Sequence, residues 1–252
     1  MADLSGKTAI ITGAGQGIGR AYALAFGEAG AQVVVADLDE PKAKAVAAEI
    51  ADAGGAAIGA PVDVADKGSV QSMADAARTA YGGTDVLLNN AAIFTPLGRC
   101  GFEEIPLDEW EQVMRVNVTG SMLCAAAVLP DMRARQKGRI INISSSTVPM
   151  GLPWFMHYVT SKSAVIGMTR VMARELGTDG ITANAIMPGL IETEVENPGR
   201  TDAIRQKVID VQCIKELGTP DDLTGLAVFL ASDASAYITG QTIAADGGSV
   251  HL

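Results

Sequence analysis

The sequence predicts an α/β chain, built on a doubly wound sheet of about seven parallel strands with helices on both faces. Three observations predict it. Short β-rich apolar runs alternate with longer helical periods from one end of the 252 residues to the other. Hydrophobic residues make up 48% of the chain, enough to fill a large core and supply strands buried on both faces. A glycine-rich turn stands between the first strand and the first helix, where an eight-stranded β/α barrel, the rival on length and alternation, needs none.

The elements follow in order. "KTAIIT" (7–12) reads as the first strand, and "IGRAYALAFGEAG" (18–30) as a helix stopped by Gly30. "QVVVAD" (32–37) is a second strand, followed by an Ala-rich helix through Ile50. "AAIGAPVDV" (56–64) and "VLLNN" (86–90) are two more, with a helix from about Ser69 to Tyr81 between them. "RIINIS" (139–144) and "ITANAIMP" (181–188) are buried strands with long helices before and between them. A helix from about Asp221 to Ala231 leads into the last strand, "QTIAAD" (241–246). No Pro/Gly-rich linker or internal repeat divides the chain, so residues 1–252 are expected to form one domain. Residues 191–217 break the rhythm with Glu192, Glu194, Asn197, Pro198 and Gly199, and are expected to form an insertion or lid.

The net charge of −10 argues against nucleic acid or an anionic membrane as a partner, because phosphate backbones call for clustered Lys and Arg. It leaves room for a phosphorylated cofactor, which backbone N–H groups at a helix start can hold without lysines. Cys100, Cys124 and Cys213 are an odd set with no C-x-x-C pair, and together with two His they offer no metal-ligand spacing. They read as reduced cytosolic thiols. The N-terminus lacks a charged segment followed by a long apolar one, and no uninterrupted apolar run is long enough to span a bilayer. A cytoplasmic protein is expected.

"TGAGQGIG" (12–19) places Gly13, Gly15, Gly17 and Gly19 between strand and helix, with Gln16 and Ile18 interleaved. The register is not G-x-G-x-x-G, yet it supplies a tight turn, close backbone approach to an anion and outward N–H groups. Asp37 ends the second strand, where an acid accepts hydrogen bonds from the ribose hydroxyls of a dinucleotide and repels a 2′-phosphate. No Arg follows it and Gln16 stands before Gly17, so NAD is expected over NADP. Asp63 also lies at a strand end, where it could meet an adenine amino group or be an ordinary loop acid. Leu38 and Val64, the next residues along, join the expected groove. Tyr158 and Lys162 are four residues apart and share one helix face. A nearby positive charge favours phenolate, lowering the tyrosine pKa from about 10 toward the range of a working acid–base. His157 points about 100° away from Tyr158 on a helix and reads as packing or pocket rim.

"TGAGQGIG", "NNAA" (89–92), "NVTG" (117–120), "NISSS" (142–146), "YVTSK" (158–162) and "PG" (188–189) fall into one pattern. Their order and spacing are those of the short-chain dehydrogenase/reductase family, which essentially the whole chain resembles. The resemblance implies a single Rossmann-type domain, with a dinucleotide-binding half over about 1–95 and a catalytic and substrate half over about 96–252. It implies a homotetramer or homodimer, and hydride transfer between a nicotinamide cofactor and a small-molecule substrate. Tyr158 would be the proton donor and acceptor, Lys162 the ribose-binding lysine that lowers its pKa, and Ser145 the holder of the substrate oxygen. Asn117 would hold a water that relays protons. Pro188, Ile191 and Thr193 match the loop that orients the nicotinamide carboxamide. Asn90, Ala91 and Ala92 match the groove wall, with Ala92 where the family more often has glycine.

Phe94, Leu97, Met150, Trp154, Phe155 and Leu190 are the residues expected to face the substrate. Their bulk argues for a hydrophobic secondary alcohol or ketone, aromatic or alicyclic, rather than a sugar. "STVPMGLPWFMHY" is similar to family members acting on aryl alkyl carbinols; the alternative for Trp154 and Phe155 is packing between subunits. Within the enzyme class the other reading is a 3-oxoacyl-carrier-protein reductase, a kind of relative that usually prefers NADPH and carries basic residues at the site mouth. Outside it stands a non-catalytic dinucleotide-binding or scaffold protein. Such members typically lose the tyrosine, lysine or serine, and this chain keeps all three.

Overall fold

A computed structural model describes residues 3–95, 97–196, 199 and 201–251. The chain runs through β1 (Thr8–Thr12), α1 (Gly17–Glu28), β2 (Gln32–Asp37), α2 (Glu40–Asp52), β3 (Ala56–Pro61), α3 (Lys67–Tyr81) and β4 (Val86–Asn89). It continues with α4 (Leu107–Met114), a π-helical turn (Arg115–Gly120), α5 (Ser121–Arg135), β5 (Gly138–Ile143) and the short α6 (Thr147–Met150). Then come α7 (Met156–Leu176), β6 (Ile181–Pro188), α8 (Asp202–Val211), α9 (Asp221–Ala231) and β7 (Thr242–Ala245). The strands pair in parallel in the order β3-β2-β1-β4-β5-β6-β7, the Rossmann-type arrangement expected.

Alternation along each strand sorts its side chains between two helix layers. In β1, Ala9 and Ile11 face one layer and Ile10 the other. The first layer, α1, α2 and α9, buries Tyr22, Phe26, Val46, Ile50, Leu223 and Leu230. The second, α3, α5 and α7, buries Met73, Val128, Met132 and Ala173. Large apolar side chains buried in this way stabilise by about 1.5–3 kcal/mol each. Cys124 of α5 lies in the second layer with no exposed surface, and burial pushes its thiol up to about 12. Asp39 and Asp66 cap α2 and α3, accepting the N–H groups of Lys42 at 3.2 Å and Ser69 at 2.7 Å. The helical run Leu107–Arg135 is, by length and composition, long and apolar enough to cross a membrane; its Val113, Cys124, Val128 and Met132 are core residues.

Two expectations change. β3 ends at Pro61 rather than at residue 64, because the chain turns at Asp63: the Asp66 N–H returns to the Asp63 carbonyl at 3.0 Å. Residues 191–217 are not irregular throughout, since Thr201 caps the ten-residue α8. That helix buries none of its side chains, although Ile204, Val208 and Val211 recur at helical spacing. Asn197 and Pro198 of that expectation lie outside the described residues. From β1 the sheet grows toward β2 on one side and β4 on the other, so a crevice opens beyond the carboxyl ends of β1 and β4.

Candidate active site

The glycine turn fills one side of that crevice. Gly13 has φ 63°, and a Cβ there would lie 2.8 Å from the Ala91 Cα. A Cβ on Gly19 would lie 2.0 Å from the Gly13 carbonyl oxygen, so strand end, turn and helix meet at distances glycine alone permits. Asn90 holds the turn shut, its Nδ2 donating to the Thr12 and Gly13 carbonyls at 3.0 Å each. The Thr12 hydroxyl accepts the Asn90 and Ala91 N–H groups, both at 3.1 Å. Ala92, the next residue, is exposed. Asp37 stands against the turn at the tip of β2: Oδ2 accepts the Gly15 N–H at 2.8 Å and Oδ1 the Asp39 N–H at 3.0 Å. Leu38 beside it is 76% exposed, an uncovered apolar side chain on the same lip. Asp63 accepts the Ala65 N–H at 2.9 Å, and Val64 is buried.

Gly17 begins α1, and its N–H donates to Glu194 Oε1 at 2.8 Å. An internal carboxylate thus sits as a stand-in anion on the helix start. The cradle around it, lined by glycines and backbone donors, fits the phosphates of a dinucleotide. Gln16 is exposed and accepts the Lys42 ammonium through Oε1 at 2.8 Å, while Ile18 packs on the core. Across the crevice, the Pro188 carbonyl accepts the Ser146 N–H at 2.9 Å, and Ile191 is buried and bridged to Gly218. The Thr193 hydroxyl accepts the Val195 N–H at 3.3 Å.

Tyr158 is buried in the first turn of α7, with the rings of Phe94 and Phe155 each 5.0 Å from its own. Burial pushes its phenol up to about 12, and the hydrogen bond with Ser145 pulls the other way. Ser145 Oγ accepts the Thr147 N–H at 3.2 Å and the Thr147 hydroxyl at 2.9 Å, which leaves its own proton for the phenol oxygen. Lys162 is buried too; its Nζ donates to the Ile143 carbonyl at 2.8 Å and lies 5.7 Å from the Tyr158 ring centroid. Burial brings its ammonium down to about 8. The expected lowering of the tyrosine pKa by the lysine is therefore absent here. The ammonium is turned to the strand carbonyl, and loss of water around the phenolate outweighs it.

Asn117 lies in the π-helical turn and its amide is fully engaged. Oδ1 accepts the Ile93 N–H at 2.8 Å, while Nδ2 donates to the Ile93 carbonyl at 3.2 Å and to Ser161 Oγ at 3.0 Å. Ser161 in turn donates to the Tyr158 carbonyl at 2.7 Å. His157 is fully buried, away from the crevice. Its Nδ1 accepts the Tyr158 N–H at 3.0 Å, and its Nε2 lies 3.0 Å from Glu109 Oε1, off the line of a hydrogen bond.

The six residues expected at the substrate do not share one pocket. Phe94 and Phe155 wall the phenol. Trp154 and Phe155 also line a cavity of about 550 Å³ with Cys100, Phe102, Leu152 and Met156, whose lining does not include Tyr158. Trp154 is 63% exposed with φ 63°. Leu190 lines a second cavity, of about 280 Å³, with Gln212 and Asp246; Met150 is exposed, and Leu97 lines neither cavity. Sequence reasoning missed Thr12, Thr147 and Ser161, which bind the named residues from one turn or one strand away. A polar side chain within an apolar run, such as Thr12, was the available signal.

This strand order, with a glycine-lined cradle where the winding reverses, is that of the dinucleotide-binding Rossmann folds. Comparison with known proteins narrows the class. A family model described as enoyl-(acyl carrier protein) reductase matches residues 13–250. A 2,5-dichloro-2,5-cyclohexadiene-1,4-diol dehydrogenase of Sphingobium indicum is 38% identical over 251 residues, 98% of each chain. A 3-oxoacyl-[acyl-carrier-protein] reductase of Synechocystis is 39% identical over 254 residues, 99% of each. The crystal structure of a gluconate 5-dehydrogenase from Burkholderia cenocepacia, in complex with NADP and tartrate, superposes with a TM-score of 0.92. It is 37% identical, and the match covers 98% of this chain and 96% of that one. The chain belongs to the short-chain dehydrogenase/reductase family, whose members bind a nicotinamide dinucleotide.

Proposed function

We propose that this oxidoreductase uses NAD to interconvert a hydrophobic, aromatic or alicyclic secondary alcohol and its ketone. The observation that carries the substrate class is the aromatic wall, Phe94 and Phe155, around the Tyr158 phenol. The alicyclic diol in the name of the Sphingobium relative supports it. The Asp37 carboxylate beside Gly15 supports NAD, since a 2′-phosphate there would meet a negative charge.

When bound, the nicotinamide supplies the hydride acceptor or donor. The chain's own residues handle the oxygen and its proton. Ser145, with its acceptor capacity taken by Thr147, has one hydroxyl proton to give, and a bound substrate oxygen would take it in place of the phenol. Tyr158 takes the alcohol proton on oxidation and returns it on reduction. Lys162, four residues along the same helix face, would hold the ribose of the bound cofactor. Pro188, Ile191 and Thr193 hold the carboxamide end, and Asn117 fixes the turn that faces Lys162 and Tyr158. The enzyme is read as cytoplasmic and as a homotetramer or homodimer; the exposed apolar Leu107, Met122 and Val171 on α4, α5 and α7 support assembly.

A second reading, 3-oxoacyl-carrier-protein reduction with NADPH, is favoured by two cations. The Arg99 guanidinium lies 5.4 Å over the Phe155 ring, at the mouth, and Lys42 stands at the Asp37 lip. A rate screen of secondary alcohols, ketones and carrier-linked 3-oxoacyl thioesters, each with both cofactors, decides between them. Turnover of alicyclic or aryl carbinols with NAD is the expected result. Equal or faster rates with NADP would overturn the Asp37 argument, and activity confined to carrier thioesters would install the second reading.

A further inference from the structure

The contact between Gly17 and Glu194 spans 177 positions of sequence and is the point where the chain beyond β6 touches the cofactor cradle. α1 needs such a partner: it has no acidic residue in its first turn, and Gln16 gives it no side-chain cap. Thr193 and Val195 flank the contact, since a Cβ on Gly17 would come within 3.8 Å of Thr193 Cγ2 and 3.4 Å of Val195 Cγ2. The Gly17 N–H, then the backbone N–H of Glu194 itself and last the charge of Arg20, hold the Glu194 carboxyl below the usual carboxylate range, so the group is an anion at working pH. Glu194 itself is exposed, and nothing buried has to move for it to leave.

We propose that Glu194 is an internal competitor for the cofactor's pyrophosphate, occupying the Gly17 N–H until the dinucleotide displaces it. This rests on the dinucleotide reading of the glycine turn. Two anions cannot share one outward N–H, so each molecule binds cofactor only from the fraction in which Glu194 has swung away. Displacement also frees Thr193 and Val195 from the helix start, in the segment expected to orient the carboxamide. Cofactor arrival and rearrangement of that segment are thereby one event. The carboxylate sets the affinity of the cofactor without belonging to the reaction.

Calorimetric titration of wild type, Glu194→Gln and Glu194→Ala with NAD, ADP and adenosine tests this. NAD and ADP, which carry the pyrophosphate, are expected to bind the variants about five- to tenfold more tightly. Adenosine, which lacks it, is expected to bind all three alike. Hydrogen exchange of the Gly17 amide in the ligand-free protein gives a readout apart from binding: it should be protected in wild type and faster in Glu194→Ala, which removes the acceptor. Unchanged or weaker NAD and ADP binding in the variants, or adenosine tightened equally, would overturn the proposal. If wild type binds none of the three, the cofactor reading falls and the competition with it. Wild-type binding with no gain in the variants condemns the competition alone.

Discussion

Replacing Asn117 with alanine removes three hydrogen bonds at once, those to the Ile93 N–H, the Ile93 carbonyl and Ser161 Oγ. At about 0.5–1.5 kcal/mol each they sum to about 1.5–4.5 kcal/mol. Ile93 is half-buried, so water recovers part of its two bonds, and the expected loss settles at about 2–3 kcal/mol. At about 2–4 °C per kcal/mol for a chain of this size, Tm falls by about 4–12 °C. Urea unfolding measures the loss directly. The same amide ties the segment after β4 to α7 one turn beyond Tyr158, so kcat should fall more than the affinity for cofactor. Ser161→Ala supplies the cross-check. It removes one shared bond, so the double variant should lose less than the sum of the singles by about 0.5–1 kcal/mol. A Tm unchanged in Asn117→Ala, or strictly additive losses, would refute the view that this amide staples the two segments.

Three further outcomes are expected. Tyr158→Phe keeps the ring contacts with Phe94 and Phe155, so its stability should stay within about 1 kcal/mol of wild type, while kcat falls about 10²–10⁴-fold. Wild-type turnover would remove Tyr158 from the chemistry. Gly19→Ala drives a Cβ into the Gly13 carbonyl and should cost about 1–3 kcal/mol in urea unfolding and abolish NAD binding by calorimetry; intact binding would contradict the cradle. Lys137 and then Lys7 hold the Asp233 carboxyl down to about 2, so its stabilising effect is full above the ordinary carboxylate pKa and is lost as pH falls through about 2. More than half exposed, it contributes under about 1 kcal/mol. The gap in stability between wild type and Asp233→Asn should therefore close between about pH 4 and 2; a gap constant with pH would contradict it.

Elements whose energetics are local were legible in the sequence. β2 was readable because Val33, Val34 and Val35 make a run that a buried parallel strand requires, and the second strand lies where "QVVVAD" put it. The glycine turn was readable because its geometry admits no side chain at Gly13 or Gly19. α8 was missed: Ile204, Val208 and Val211 recur at helical spacing, but the Glu, Asn, Pro and Gly ahead of them made the whole segment read as irregular. The π-helical turn at Asn117 was also hidden: its i→i+5 pattern leaves no mark in "NVTG", and the partners Asn117 meets there, Ile93 and Ser161, come from other segments. The pairing of Glu194 with Gly17 joins residues 177 positions apart, beyond the reach of any local pattern. The Tyr158–Lys162 pair was found by spacing, but its proton energetics were misjudged, because spacing says nothing about the water that burial removes.

Cys124 carries a consequence of its own. Its thiol is sealed under α5 and pushed up to about 12, whereas Cys213 is exposed and Cys100 half-buried. A thiol reagent can therefore meet two of the three sulfurs at the surface, and the third when α5 parts from the sheet. The chain contains a clock for its own breathing, read as the slow sulfur among two fast ones, with no label added and no residue changed.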